Sequence, residues 1–445
     1  MQKKASPDLL RFFHFVPRWF RLVLLFTILL LDCDSACAEN WPAWRGSTGM
    51  GISQETNLPL RWSTTENVLW KTPLPDRGNS TPIIWRDRVF VTQAIEKEGR
   101  RTLMCFDRAT GNLRWQNGVV YREKEPTHST NPYCSASPVT DGELVIASYG
   151  SAGVSCYDFE GKEIWHRNLG PQLHIWGNAS SPVISGDLCF LNVGPGERTF
   201  LIALNKRTGD TVWQRNEPGG HFGEPKQGEE RQSVWIGSWS TAVLYSFKGR
   251  EELLLSFPKR LAAFDPRTGK ELWTCSGLNP LVYTSPIAEN GIVVSMGGYS
   301  GSAIAVKAGG NGDVTETHRL WRHPRTKQRI GSGVIFERHI YILNDPGVAE
   351  CFELESGKLV WEERLAGPGP KSDNWSSMVL ANGSVFAINQ SGDAFAVKAS
   401  PKFQPLSTNS LGETTMASLA PSDNQWFIRT YQHLWCIGER SSRRP

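Results

Sequence analysis

The sequence lacks most patterns that point directly to a chemistry. It contains no Cys-x-x-Cys pair, Gly-x-Ser-x-Gly elbow, P-loop, His-Glu-x-x-His helix or EF-hand loop. Zinc, nucleotide, calcium-loop and common hydrolase sites therefore have no motif here, and we predict no metal ligands or catalytic residues. No long segment has the 3.6-residue apolar period of a helix, whereas glycine (42) and tryptophan (18) are abundant. This combination favours an all-β chain.

An excess of charge of either sign is also missing. The chain has 48 basic and 44 acidic residues; residues 1–38 hold five basic and three acidic ones, so 43 and 41 remain beyond them. This balance gives no electrostatic case for nucleic acid as a partner.

Cysteine is sparse, and seven of the nine cysteines follow residue 38. Four of them recur at one repeat position where other repeats have Ala203, Ala263 or Ala305, namely Cys105, Cys156, Cys351 and Cys436. A position that alternates between Ala and Cys requires a small buried side chain, so we expect these thiols to be structural. Cys134, Cys189 and Cys275 occupy no common repeat position, and a disulfide between one pair of them is left open.

The first 38 residues differ in kind from the rest. Basic residues precede the apolar run LVLLFTILLL, and Ala36-Cys37-Ala38 follows it. This arrangement predicts a signal peptide cleaved after Ala38 and export to the periplasm or cell envelope. A run of ten residues is short for a membrane span, so we expect no stable span after cleavage. An uncleaved anchor is the alternative. A lipoprotein with Cys33 or Cys37 as the lipidated residue is disfavoured, because Asp32 and Asp34 replace the apolar and small neighbours expected there.

A turn of the form Asp-x-x-Thr-Gly-x-x-x-Trp recurs along the chain. It is written CFDRATGNLRW at 105–115, ALNKRTGDTVW at 203–213, AFDPRTGKELW at 263–273 and CFELESGKLVW at 351–361. The first residue of the motif favours a tight turn, glycine supplies positive φ, and the tryptophan lies on the returning strand. Four copies of one hairpin indicate a repeat architecture.

A Ser or Thr that opens a short apolar strand recurs in step with these turns. The eight markers are spaced 41 to 60 residues apart and are Thr81, Ser137, Ser181, Thr241, Ser285, Ser332, Ser377 and Ser418. That period suits four-stranded antiparallel blades. The sequence therefore predicts an eight-bladed β-propeller over residues 67–438, with a lead-in at 39–66 and a tail at 439–445.

The last repeat ends one strand short, and the other end of the chain offers the missing strand. Residues 67–75 contain Trp70 without a preceding turn. We expect them to pair beside LWCIG at 434–438 and close the ring, which removes exposed sheet edges. Seven tryptophans are predicted at blade junctions: Trp70, Trp115, Trp165, Trp213, Trp273, Trp321 and Trp361. In the seventh blade, Leu406 or Leu411 is expected in that place.

These turns resemble the tryptophan-docking motif of the pyrroloquinoline-quinone (PQQ) propeller superfamily, and the repeats cover nearly the whole chain after residue 66. The resemblance implies one of two roles. Quinoprotein dehydrogenases of that superfamily bind PQQ and calcium at the top of the channel, whereas BamB-type lipoproteins keep the fold without a cofactor and act as scaffolds. Many alcohol-oxidising members carry adjacent bonded cysteines, and this chain has no Cys-Cys pair. No calcium ligand or catalytic Asp is carried over.

Candidate ligand-binding residues lie in the connections between blades, where propellers place recognition. The connection after Trp213 is the longest and holds His221, Trp235 and Trp239. The full set of candidates at the channel mouth is Asn79, Asn131, Trp176, Asn178, His221, Trp235, Trp239, Tyr283, Asn374 and Trp375. The alternative is that these residues cap strands and fill the channel.

We therefore predict an exported, non-catalytic binding or scaffold protein, monomeric, without a cofactor, and with a protein or envelope partner. The first alternative is a dehydrogenase that uses PQQ with calcium. The second is a propeller that recognises polysaccharide.

Overall fold

The computed structural model describes residues 39–220, 227, 236–299, 301–325 and 327–439. Regular structure in these residues is almost entirely β, with two short 3-10 turns at Glu96–Glu98 and Gly150–Ala152. Eight four-stranded antiparallel sheets form the blades of a propeller. The predicted all-β class, blade number and strand order are confirmed.

Each blade is built from four strands, A to D, running outward from the channel. Blade 1 has Ile83–Trp85, Arg88–Ile95, Arg100–Asp107 and Leu113–Val120; blade 2 has Val139–Thr140, Leu144–Ser148, Val154–Asp158 and Glu163–Arg167. Blade 3 has Val183–Ser185, Leu188–Val193, Thr199–Asn205 and Thr211–Glu217; blade 4 has Val243–Phe247, Arg250–Phe257, Arg260–Phe264 and Glu271–Ser276.

The second half of the ring repeats this plan. Blade 5 has Ile287–Glu289, Ile292–Met296, Ala303–Lys307 and Arg319–His323; blade 6 has Val334–Phe336, His339–Asn344, Val348–Glu353 and Leu359–Arg364. Blade 7 has Val379–Ala381, Ser384–Ile388, Asp393–Lys398 and Pro405–Ser410; blade 8 has Ala420–Ser422, Gln425–Arg429, His433–Ile437 and, as strand D, Val68–Pro73.

Three short parallel pairs add to the blades. Ile52–Ser53 pairs with strand A of blade 7, and Gly312–Asp313 pairs with strand D of blade 4. Gly237–Ser238 pairs with Leu281–Val282 between blades.

The ring is closed by the beginning of the chain, as predicted. Val68–Pro73 pairs antiparallel with His433–Ile437, and Lys71 faces Trp435. The Lys71 ammonium lies 4.1 Å from the Trp435 ring centroid and 2.9 Å from a carboxylate oxygen of Glu413. Pairing, a cation–π contact and an ion pair therefore hold the closing strand.

The docking tryptophans join each blade to the next. In six junctions the indole N–H donates to a backbone carbonyl of the following blade at 2.7–3.0 Å, from Trp70, Trp115, Trp165, Trp213, Trp321 and Trp361. The turn glycine lies directly on the indole; a Cβ on Gly111, whose φ is +72°, would come within 2.5 Å of Trp70. Only glycine allows both the backbone angle and this approach.

The seventh junction, at Trp273, is built differently. Trp273 is fully buried, and its N–H donates at 2.9 Å to a carboxylate oxygen of Glu252, itself fully buried. The insertion in blade 5 covers the indole, because Gly312 pairs opposite Trp273 and the Val314 N–H bonds the Thr274 carbonyl.

Blade 7 has Ser407 where the other blades have tryptophan, not the expected Leu406 or Leu411. Ser407 pairs with Ala396 just before the strand-C bulge, the register of the docking residue in the other seven blades. The space is filled from the lead-in instead. The backbone N–H of Trp62 donates to Asn409 Oδ1 at 2.9 Å, and the Trp62 ring lies 6.3 Å from that of Trp426 in blade 8.

The recurrent Ala/Cys position is explained by the same register. Each of these residues pairs directly with the docking tryptophan of its own blade, as Cys105 does with Trp115 and Ala263 with Trp273. A larger side chain would displace the indole. All seven described cysteines are buried and free, so the optional disulfide is not formed.

The lead-in lies at the lower end of the channel and ties several blades together. Trp41 is fully buried, and its backbone exchanges two hydrogen bonds with Ile84 of blade 1 at 2.8 and 2.9 Å. The Arg45 guanidinium donates to the carbonyls of Gly333 in blade 6, at 2.6 Å, and Met378 at the start of blade 7, at 3.4 Å. Burial lowers the pKa of Arg45 to about 9. The backbone carbonyls stabilise the buried guanidinium by accepting its hydrogen bonds.

Candidate functional site

The upper part of the channel holds a cavity of about 360 Å³. It is lined by Trp44, Asn79, Thr81, His128, Asn131, Ser135, Ser137, Trp176, Ala179, Ser181, Trp239, Thr241, Tyr283, Tyr299, Gln328, Ile330, Trp375, Ser377, Met416 and Ser418. Trp44 of the lead-in contributes from below, and the connections between blades form the mouth. This size is within the range of small-molecule sites.

The waist of the channel is formed by the eight Ser and Thr markers, which we call the hydroxyl belt. The backbone N–H of each marker donates to the side-chain oxygen of the marker in the next blade at 2.9–3.0 Å. The eighth bond runs from Ser418 to Thr81 and completes the circle. Ser and Thr carry an acceptor oxygen directly on Cβ, which suits this close approach between neighbouring strands and explains their recurrence.

Each belt hydroxyl keeps a proton after accepting this bond. Among the described residues, none of the eight belt hydroxyls donates a hydrogen bond to a protein acceptor. Six of the eight belt residues line the cavity. The belt therefore offers donors to the channel.

A second tier lies two residues before the belt in every blade. Alternate residues of an extended strand share one face, so this tier also points into the channel. Its members all line the cavity and are Asn79, Ser135, Ala179, Trp239, Tyr283, Ile330, Trp375 and Met416. The side of blades 1–3 is small or polar, whereas the side of blades 4–8 is large and apolar or aromatic.

Loop residues extend the aromatic wall to the rim. Tyr299 lies nearly parallel to Trp176, with ring centroids 6.5 Å apart, and its side chain is 60% exposed. His128 lies nearly parallel to Trp375 at 6.1 Å. The Trp239 N–H donates to the Gly177 carbonyl at 2.8 Å, which fixes this ring against the connection before blade 3.

The described lining contains no Asp, Glu, Lys or Arg. A carboxylate pair lies just outside it, where Gln328 Nε2 donates to Asp345 Oδ2 at 3.2 Å. Burial, together with the negative charge of Asp373, raises the pKa of Asp345 to about 6. Burial also lowers the pKa of His174, behind Trp176 and Trp239, to about 4, so this imidazole is neutral at pH 7.

The sequence candidates fall into three groups in the structure. Six line the cavity: Asn79, Asn131, Trp176, Trp239, Tyr283 and Trp375. Asn178 and Asn374 are outside the lining; Asn374 is fully buried, and its amide donates to the Leu343 and Ser376 carbonyls. His221 and Trp235 lie outside the described residues.

Sequence reasoning missed the belt, His128, Tyr299 and Trp44 as parts of the lining. The period of the Ser and Thr markers carries the signal for the belt, although spacing alone indicates only where the strands begin. Tyr299 lies in a connection between strands B and C, outside the connections between blades in which the sequence predicts recognition.

The described lining does not fit PQQ with calcium. PQQ carries three carboxylates, which arginine or lysine would pair, and calcium prefers carboxylate and carbonyl oxygens. The described cavity wall supplies aromatic rings, amides and hydroxyls instead.

A family model supports the assignment of the repeats. The model described as "Outer membrane protein assembly factor BamB", a PQQ-like repeat family, matches residues 60–223, 99–274 and 198–444. The chain belongs to this family. Together these matches span the whole propeller.

Individual relatives are more distant. The chain is 36% identical over 88 residues to the quinoprotein alcohol dehydrogenase PedH of Pseudomonas putida, a match covering 19% of this chain and 13% of PedH. BamB from Moraxella catarrhalis superposes with a TM-score of 0.58 at 13% identity, over 85% of this chain and 99% of that one. Quinohemoprotein alcohol dehydrogenase from Comamonas testosteroni gives 0.66 at 12% identity, over 92% and 82%. These superpositions establish the fold alone.

None of the helices in the described residues is long and apolar enough to cross a membrane.

Proposed function

We propose that this family member acts by binding, as a scaffold or recognition protein of the cell envelope, and that the upper channel mouth is its binding site. The observation that carries the proposal is the chemistry of the described cavity wall, which has aromatic rings, amides and hydroxyls but no carboxylate or cationic side chain. Such a wall orients a ligand and excludes water. Apart from His128, the described wall has no side chain of the kind that accepts the proton of an alcohol.

The family match supports an envelope role, and residues 1–38 have the pattern of an export signal. We propose that this segment is removed after Ala38 and that the protein works as a monomer on a protein or envelope partner.

A PQQ-dependent dehydrogenase is the competing function, and the short match to PedH favours it. Asp345, with its pKa near 6, is the described group best suited to act as a base next to the mouth. Asp345 contacts the lining only through Gln328.

Titration of the purified protein with PQQ and calcium separates the two functions. We expect no saturable change in PQQ absorbance and no dye-linked oxidation of primary alcohols or sugars. Stoichiometric uptake with turnover that Asp345→Asn abolishes would establish the dehydrogenase and refute the binding role.

A further inference from the structure

The two sides of the cavity offer different chemistry to a ligand. Trp239, Tyr283 and Trp375 form the aromatic side, and Tyr299 extends it to the rim. Asn79, Ser135 and Ser137 contribute to the polar side. A ligand that satisfies both sides has one apolar face and one polar edge.

The polar side carries hydroxyl protons and an amide oxygen that form no hydrogen bond with another described residue. The belt supplies O–H donors, since each hydroxyl accepts one backbone bond and keeps its proton. Two amide groups of the lining also offer acceptors. On the polar side Asn131 Nδ2 donates to the Trp176 carbonyl at 2.6 Å, and before blade 6, on the other side, Gln328 Nε2 donates to Asp345. Their amide oxygens accept no hydrogen bond from a described residue, so they remain for hydroxyl protons of a ligand.

The described lining has no Asp, Glu, Lys or Arg side chain, and this narrows the class of ligand that it suits. An anionic ligand would lose its hydration without gaining a cationic partner, and a cationic ligand would meet no carboxylate in the wall. The described wall therefore suits an uncharged ligand that carries both donors and acceptors and has a flat apolar face.

We infer that the channel mouth binds an uncharged sugar ring, presented as the end of a glycan chain. The C–H face of the ring packs on the aromatic side, and its hydroxyls meet the belt and the amide oxygens. This inference rests on the proposed binding function and names its ligand. The volume of about 360 Å³ and the closure from below by Trp44 favour the end of a chain over a chain that threads the ring.

The test measures tryptophan fluorescence and titration calorimetry of the full chain with maltose, cellobiose and N,N′-diacetylchitobiose, beside digalacturonate. We expect at least one neutral disaccharide to bind saturably below about 10 mM, already a weak specific affinity. Digalacturonate should bind at least about tenfold more weakly, because its charges have no partner in the described wall.

Two variants place the site. Trp375 is half-buried in the upper tier and lines the cavity, whereas Trp85 is half-buried in the first strand of blade 1 and is not part of that lining. Trp375→Ala should weaken binding about tenfold, the effect of one lost aromatic contact. Trp85→Ala is the matched control and should bind as the parent protein does. Thermal melting of both variants checks that the fold is intact.

Each outcome has one meaning. Neutral sugar binding that Trp375→Ala weakens and Trp85→Ala leaves alone supports the inference. If no disaccharide binds at about 10 mM, or if digalacturonate binds equally well, the ligand assignment is wrong while the binding role stands. If Trp85→Ala has the same effect as Trp375→Ala, the assignment of the sugar to the channel mouth is wrong. Uptake of PQQ with turnover overturns both.

Discussion

The junction at Trp273 allows the loss of unfolding free energy on replacing a docking tryptophan to be divided into a packing part and a hydrogen-bond part. Replacing a buried tryptophan by alanine typically costs about 3–5 kcal/mol, because a cavity remains. Trp273 is fully buried and Trp213 is half-buried, so Trp273→Ala should lie at the upper end of this range and Trp213→Ala at the lower end.

The hydrogen bond adds a second difference. Trp213 donates to the Pro266 carbonyl, whereas Trp273 donates to the buried carboxylate of Glu252. Bonds to charged groups contribute about 1.5–3 kcal/mol, against about 0.5–1.5 for neutral ones. Replacement by phenylalanine keeps most of the ring and removes the N–H. We therefore expect Trp273→Phe to cost about 1 kcal/mol more than Trp213→Phe.

Equilibrium unfolding in urea measures these differences through the transition midpoint. The double variant Trp273→Phe with Glu252→Gln isolates the pair, and we expect a coupling energy of about 1 kcal/mol or more. Trp213→Phe with Glu252→Gln is the matched control and should be additive. Equal costs for the two phenylalanine variants, or additivity at Trp273, would refute the assigned role of the carboxylate.

Three further predictions concern the belt, the closing strand and pH. Ser181→Ala should lower stability by about 1–3 kcal/mol, because the buried Ser137 N–H loses its acceptor; Ser181→Thr, which keeps the oxygen, should restore most of this in the same urea assay, and equal losses would argue against the belt. Deletion of residues 1–75 should expose the edge of blade 8 and yield aggregates in light scattering; a soluble, well-folded truncation would contradict the closure. Folding raises the pKa of Asp345 and so favours its protonated form, and the stability of the protein should therefore fall as pH rises from about 4 through 6. Asp373→Asn should reduce this fall in thermal melts between pH 4 and 8. An unchanged pH profile would show that Asp373 does not contribute to the raised pKa.

The sequence predicts the fold well because each repeat is specified by residues that are close to one another in the chain. The turn glycine, the tryptophan and the small strand-C residue each meet a constraint inside one hairpin or between neighbours, so a pattern of spacing reveals them. Ser407 and Trp62 show where prediction from local repeat patterns fails. Blade 7 lacks its tryptophan, and the replacement comes from the lead-in, which is remote in sequence and belongs to no repeat.

The site was predicted less completely, since the cavity depends on which side of a strand each residue faces. Trp239, Tyr283 and Trp375 stand two residues before the belt and line the channel. Asn178 and Asn374 stand three residues before it and are outside the lining. The difference of one position in an extended strand reverses the direction of a side chain, and boundaries read from sequence do not resolve it.

The pairing of Val68–Pro73 with His433–Ile437 also sets an order of events during synthesis. Among the blade strands, the one made first must stay unpaired until the one made last has left the ribosome, with all of blades 1 to 7 between them. At roughly 5–20 residues per second, this wait lasts on the order of tens of seconds. Lys71 and Thr72 are the two polar residues of this strand, and they help to keep it soluble while it has no partner.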